Sequence, residues 1–267
     1  MQPRVSVIMG IYNCAPTLVE SLDSIARQTY TGWEMILCDD DSSDDTLQVA
    51  QDWARRDPRV KVLANERNLG LARTLDRCIA EARGELLARQ DGDDLSEPDR
   101  LAKLVAAMDA HPEVAVVSSW MTCFDQNGDW GMVRTKPFPV ANDFLSGSPI
   151  CHAPSLMRRA PVLAVGGYGA QTWSLQVEDV FLWFRLYATG YRAMNIQEAL
   201  YRVRDDENAR SRRTLRRRIN YVRIRWKGFR MLSFPWYKRL WAVKPVLVWA
   251  LPSFVYHRLR RKRLEPV

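Results

Sequence analysis

Four short apolar runs, at residues 5–11, 33–38, 60–64 and 86–88, recur with helix-patterned segments between them. Strands alternating with helices at this spacing indicate βαβ units and a parallel sheet. Strands buried on both faces read as unbroken apolar runs, which is how these read. Pro16 fits the first turn of a helix reaching about residue 28. A second helix starts near Asp44, carries Leu47, Ala50, Trp53 and Ala54 at helical spacing, and stops at Asp57-Pro58; a third covers about 71–82. The expected fold class is α/β, with a Rossmann-like, mostly parallel central sheet flanked by helices. Such a sheet puts any ligand just beyond the carboxyl ends of its strands.

Two of those ends are acidic. The run at 86–88 leads through Arg89-Gln90 to Asp91-Gly92-Asp93-Asp94, and the run at 33–38 stops at Asp39-Asp40-Asp41 with Asp44-Asp45 close behind. Three carboxylates in four positions repel one another unless a cation sits between them, and Mg²⁺ and Mn²⁺ take oxygen ligands. The bland alternative is a solvated acidic turn before a helix, because Ser96-Glu97-Pro98-Asp99 reads as a capping box for a helix at 97–110. The two acidic turns are expected to end neighbouring strands, and a parallel sheet brings both to one edge. A nucleotide diphosphate suits that edge, with one carboxylate accepting from base or ribose and another holding a cation. Residues 39–50 fail as an EF-hand, since Asp44 stands where glycine is needed and Ala50 where glutamate is needed. No phosphate-cradling glycine signature occurs.

Farther along, 114–118 reads as a strand, 120–139 with Asn127-Gly128 as a hairpin, 178–189 as a helix, and 192–196 as the last strand of the body. Glu178 and Asp179 open that helix, where the dipole stabilises carboxylates. A carboxylate so placed can also act as a general base if it lines the cleft. Residues 201–267 hold 20 of the 39 Lys and Arg but 4 of the 31 Asp and Glu, so a body of about −8 carries a tail of about +16. The tail needs an anionic partner, a membrane surface or nucleic acid. Its helix at 210–230 carries Leu215, Ile219, Val222 and Trp226 as one apolar stripe among arginines, which suits an interfacial helix. The alternative is that this stripe packs on the body. The expected division is a catalytic domain at 1–204 and a basic helical tail at 205–267. Five scattered cysteines, the missing leader and the missing long apolar span fit a cytoplasmic protein at the inner face of the membrane.

Taken together, Val5-Ser6-Val7-Ile8 with Tyr12-Asn13, Asp39-Asp40-Asp41-Ser42-Ser43-Asp44-Asp45-Thr46, Asn68-Leu69-Gly70-Leu71, Ala82-Arg83-Gly84-Glu85 and Asp91-Gly92-Asp93-Asp94 resemble family 2 inverting glycosyltransferases of the GT-A fold. The resemblance covers about residues 4–202. The segments 149–155 and 177–183 also resemble those of bacterial members that build surface polysaccharides. The resemblance implies that Tyr12 and Asp40 contact the nucleotide base, Asp91 the ribose or donor sugar, and Asp93 the Mg²⁺ or Mn²⁺ that bridges the phosphates. It implies that Asp179 is the base, with Glu178 orienting the acceptor and His152 near the diphosphate or acceptor. A structural loop histidine is the other reading of His152. The implied partners are a UDP-sugar donor, a lipid-linked glycan acceptor and the inner-membrane surface. Asp41 replaces the glycine usual at its position, and Gly92 the commoner alanine. The rival reading, a nucleic-acid-binding protein or metal-dependent nuclease, explains the charge asymmetry but not the ordered motifs, and no nucleic acid is expected as partner.

Overall fold

The βα units form where the hydrophobic pattern puts them. In the computed structural model, which describes residues 2–169, 177–205 and 215–249, strands β1 (Val5–Ile11), β2 (Trp33–Asp39), β3 (Val60–Ala64) and β4 (Leu86–Arg89) alternate with helices α1 (Ala15–Ala26), α2 (Thr46–Ala54) and α3 (Leu71–Glu81). β1 pairs in parallel with β2 on one side and β4 on the other, and β2 pairs in parallel with β3. All of β2 and β4 is buried. Val5, Val7 and Met9 face a core shared with α1 and α2, while Ile8, Ile36 and Leu87 face Leu75, Cys78 and Ile79 of α3.

Beyond β4 the chain runs through β5 (Leu95–Ser96), α4 (Arg100–Ala110), β6 (Val114–Asp125), β7 (Gly128–Val133), β8 (Leu156–Arg158), α5 (Arg159–Ala164), α6 (Glu178–Ala188) and β9 (Arg192–Arg204). The strand order is β3-β2-β1-β4-β8-β6-β9-β5, with β7 beside β6. The N-terminal half of the sheet is thus parallel. β8 then enters antiparallel between β4 and β6, and β6 and β9 are again parallel to each other.

Three boundaries differ from expectation, each for a tertiary reason. Ser96 lies in β5, where its hydroxyl donates to Gln90 Oε1 at 2.7 Å instead of capping a helix, and α4 begins at Arg100 after Asp99. β6 does not stop at 118 but continues through Trp120 into the predicted Asn127-Gly128 hairpin, where Gly128 takes φ +106°. β9 runs unbroken to Arg204 because bulged pairing with β6 and pairing with β5 carry it past residue 196.

The tail adds α7 (Leu215–Met231), α8 (Trp236–Arg239) and α9 (Lys244–Trp249). Helix α7 crosses α6 at Gly228, where a Cβ would sit 2.2 Å from the Phe184 ring. Its buried face is Asn220, Ile224, Arg225, Gly228 and Phe229, and Phe229 packs edge-on against Phe184. The stripe read from the sequence faces the other way, for Leu215, Ile219 and Trp226 are exposed. The expected helix start at 210–214 and the basic run at 258–263 lie outside the described residues. Among the described residues no helix is long and apolar enough to cross a membrane.

Candidate active site

The chain leaves β1 toward β2 and β3 on one side and later returns to β4 on the other. That reversal is a topological switch point, where ligands of open α/β sheets bind. Tyr12 follows β1, Asp40 follows β2, and Gln90 to Asp94 follow β4, so these residues share one edge. The two acidic strands are not neighbours, because β1 stands between them. Tyr12 is 51 % exposed at this edge.

Asp40 is buried, and its carboxylate organises the loop after β3. Oδ1 accepts from Asn65 Nδ2 at 2.6 Å and Leu69 N at 2.8 Å, and Oδ2 accepts from Gly70 N at 2.8 Å. A carboxylate offers about four lone-pair directions, so one remains on Oδ2 for a donor. Gly70 needs φ +83° to turn its N–H inward, which explains the Asn68-Leu69-Gly70 motif. Asp41 takes φ +63°, the left-handed conformation for which glycine is the usual residue and which Asp tolerates.

The turn at 91–94 is held from several sides. Ser21 Oγ donates to Asp91 O at 2.7 Å, Thr17 Oγ1 to Gly92 O at 3.1 Å, and Arg204 Nε to Asp93 O at 3.0 Å. Tyr201 Oη receives Asp91 N–H at 3.1 Å, and its hydroxyl bonds the Asp94 carboxyl. Asp94 is buried and also accepts Arg204 N–H at 2.7 Å. It therefore ties the turn to β9. Burial, with Asp91 and Asp93 alongside, raises its pKa well above the usual carboxylate range. At Gly92 a Cβ would lie 2.9 Å from Cys14 Sγ, so glycine is required while Cys14 is opposite. The Cys14 thiol is pushed up to about 12, first by burial and then by the charge of Asp93.

Two buried arginines lie beneath the turn. Arg89 forms an ion pair with Asp91 and donates to Gln90 O. Arg100 Nη1 donates to Arg89 O at 2.9 Å, and its guanidinium lies over the Tyr201 ring. Burial lowers the Arg100 pKa to about 10. These guanidinium groups supply part of the countercharge that the crowded acids were expected to take from a metal.

The segment 151–155 joins this layer to α6. Arg89 N donates to Ser155 O at 2.9 Å, and His152 Nε2 lies 2.7 Å from Tyr168 Oη. Tyr168 is held in turn by Asp76, which accepts its N–H at 2.7 Å, and by Arg185, which donates to the 165, 167 and 168 carbonyls. Burial, with Asp179, Glu178 and Asp76 near, pushes the Tyr168 hydroxyl upward against the opposing pull of Arg89. Through Arg185 and the ring contact of His152 with Trp183, this layer packs against α6. Asp179 is partly exposed there, while Glu178 is buried. His152 is partly buried, and burial together with Arg89 depresses its pKa well below the usual range, so the ring is neutral.

Among the described residues no three His, Cys, Asp or Glu side chains are grouped to hold a metal. A magnesium-type ion needs only one or two protein carboxylates when substrate phosphates complete its shell. Asp93, partly exposed on a turn whose backbone is fixed, fits that limited part. The sequence reading missed Arg89, Arg100, Tyr168, Tyr201 and Arg204. An arginine inside an apolar run directly before acids was the one available signal.

A family model described as Glycosyl transferase family 2 matches residues 6–164. EpsE, a Bacillus subtilis chain named as a glycosyltransferase, is 40 % identical over 263 residues, covering 98 % of this chain and 95 % of its own. The Escherichia coli UDP-Gal:alpha-D-GlcNAc-diphosphoundecaprenol beta-1,3-galactosyltransferase is 29 % identical over 85 % of this chain and 84 % of its own. Among solved structures, S. aureus TarS with UDP-GlcNAc has a TM-score of 0.70 at 21 % identity, covering 87 % of this chain and 66 % of TarS 1-349. The Pyrobaculum calidifontis mannosyltransferase PcManGT with GDP-Man and Mn2+ has a TM-score of 0.69 at 23 % identity, covering 98 % and 79 %. The two structures show the fold, GT-A.

Proposed function

The chain belongs to glycosyl transferase family 2, and from that premise we propose an inverting, metal-dependent transfer of a sugar from a nucleotide-diphosphate donor, a UDP-sugar, to a lipid-linked glycan in surface-polysaccharide synthesis. The observation that carries the reading is the meeting of Tyr12, Asp40 and the turn at 91–94 at the switch point, with His152 and Tyr168 packed against α6 through Trp183 and Arg185. The diphosphoundecaprenol acceptor named for the Escherichia coli relative supports the lipid-linked part. The Mn2+ in the mannosyltransferase structure supports the metal. No comparison supports the nucleic-acid alternative.

In this reading Tyr12 stacks on the base and the remaining lone pair of Asp40 receives a base N–H. Asp91 accepts from the ribose or donor sugar. Asp93 would hold Mg²⁺ or Mn²⁺, which when bound supplies positive charge to the leaving diphosphate. Asp179 takes the proton of the acceptor hydroxyl as its oxygen attacks the anomeric carbon. The bond to the diphosphate breaks with its electron pair leaving on phosphate oxygen, and one displacement inverts the configuration. Glu178, being buried, acts on the acceptor through its neighbours, and His152 packs behind the acceptor side as a neutral ring. The site of action is the cytoplasmic face of the membrane.

The test is a panel of UDP- and GDP-sugars with Mn²⁺, read by donor binding and by hydrolysis. Binding of one donor class with slow hydrolysis is expected. Failure to bind or hydrolyse any of them overturns the reading.

A further inference from the structure

We propose that the outward face of α7, continued through α8 and the turn before α9, is a docking surface for an anionic lipid bilayer and holds the acceptor side of the cleft at the headgroups. The second clause rests on the role given to Asp179 above.

The helix carries two apolar stripes, and the fold uses one. Ile224 and Phe229 are buried against α6, while Leu215, Ile219 and Trp226 stand exposed on the opposite side. The exposed surface then continues in sequence, with Trp236 72 %, Tyr237 55 %, Leu240 53 % and Trp241 53 % exposed. Seven large apolar side chains exposed within residues 215–241 are more than scattered surface residues and mark an interaction site. Its charge selects the partner. Residues 215–249 contain 10 Lys and Arg and no Asp or Glu, a balance that repels a second copy of the same face and attracts anionic headgroups. Indole rings beside cations suit the membrane–water boundary, and Lys244 lies over the exposed Trp241.

The surface adjoins the acceptor end of the site. Lys227, next to the exposed Trp226, lies 5.5 Å over the ring of Phe181. Phe181 is in the first turn of α6, two residues after Asp179. The close crossing at Gly228 over Phe184 fixes α7 in that place. A lipid-borne hydroxyl would then reach Asp179 without leaving the bilayer surface.

Flotation of the full chain with phosphatidylcholine vesicles, with and without phosphatidylglycerol, tests the docking. The wild type should float with the anionic vesicles and lose binding as salt rises. Trp236→Ser/Leu240→Ser/Trp241→Ser should weaken binding on the order of tenfold or more, and Arg223→Gln/Arg230→Gln should reduce its salt dependence. Both variants should keep the thermal midpoint and the donor hydrolysis of the wild type. Equal flotation of the triple variant and the wild type, or no preference for anionic vesicles, overturns the proposal. So does a wild-type dimer that the triple variant abolishes, since the face would then belong to a second copy. Vesicle binding without turnover of any donor contradicts the functional reading and leaves docking intact; turnover without vesicle binding does the reverse.

Discussion

Arg89 and Asp91 form an ion pair at the end of β4 in which the guanidinium has no exposed surface and the carboxylate side chain is 30 % exposed. One residue is a wall of the core and the other a face of the site, so this pair transmits the rigidity of the sheet to the acidic turn. Removing a buried partner leaves an unbalanced charge, here beside Asp93 and Asp94. Arg89→Met should cost about 1–3 kcal/mol, less than for a fully buried pair because water reaches Asp91. Urea unfolding checks this, with an unchanged midpoint as the contrary result.

Gly92 and Cys14 should be coupled. A methyl at 92 meets Cys14 Sγ at 2.9 Å and Ile11 Cγ2 at 3.1 Å. Gly92→Ala should therefore destabilise by about 1–3 kcal/mol through overpacking. Cys14→Ala in the same chain should recover part of that, and a double-mutant cycle in urea would show additivity if the contact does not matter.

Asp41 sits at φ +63°, where a residue with Cβ but no short polar side chain is strained. Asp41→Ala should lower stability by about 1 kcal/mol, whereas Asp41→Gly should not. Equal denaturation midpoints for the two variants would contradict this.

Gly84 tests the neighbouring motif. A Cβ there would lie 2.7 Å from Ser6 N and 2.8 Å from Arg4 O, both backbone atoms. Ser6 Oγ receives Gly84 N–H at 2.9 Å, and Glu34 accepts from Ser6 and Arg83. The Arg83-Gly84 pair is a clamp between β1, β2 and β4, remote from the cleft. Gly84→Ala should reduce stability by about 1–3 kcal/mol while the surviving folded protein keeps its donor affinity. A loss of donor affinity at full stability would place the motif in the site.

His152 predicts a pH dependence. Its folded pKa is depressed by burial and Arg89, while the unfolded ring protonates near pH 6.5. Protons therefore favour the unfolded chain. The contribution of His152 is complete above about pH 6.5 and is lost as pH falls below it. His152→Gln should flatten the fall in stability between about pH 6.5 and 5 relative to the wild type. Imidazole NMR shifts that titrate near 6.5 in the folded protein would contradict the premise.

The strands, the switch-point loops and the acidic turns were legible because local periodicity and composition encode them. Ser96 was misread because a capping box and a strand end look alike until Gln90 arrives beside it. Tyr201 and Arg204 were invisible for a related reason: they reach the turn only through the long pairing of β9 with β6 and β5. Periodicity found an apolar stripe on α7 but could not say which of two stripes meets α6; Gly228 decides it by letting Phe184 approach. Arg89 was hidden by its type, since arginines are rarely fully buried.

The central claim is that Asp179 deprotonates the acceptor, and Asp179→Asn measures it most directly. The account predicts transfer to a lipid-diphosphate-linked sugar falling by about 10²-fold or more, with nucleotide-sugar binding by calorimetry unchanged. Transfer by Asp179→Asn at the wild-type rate would contradict it.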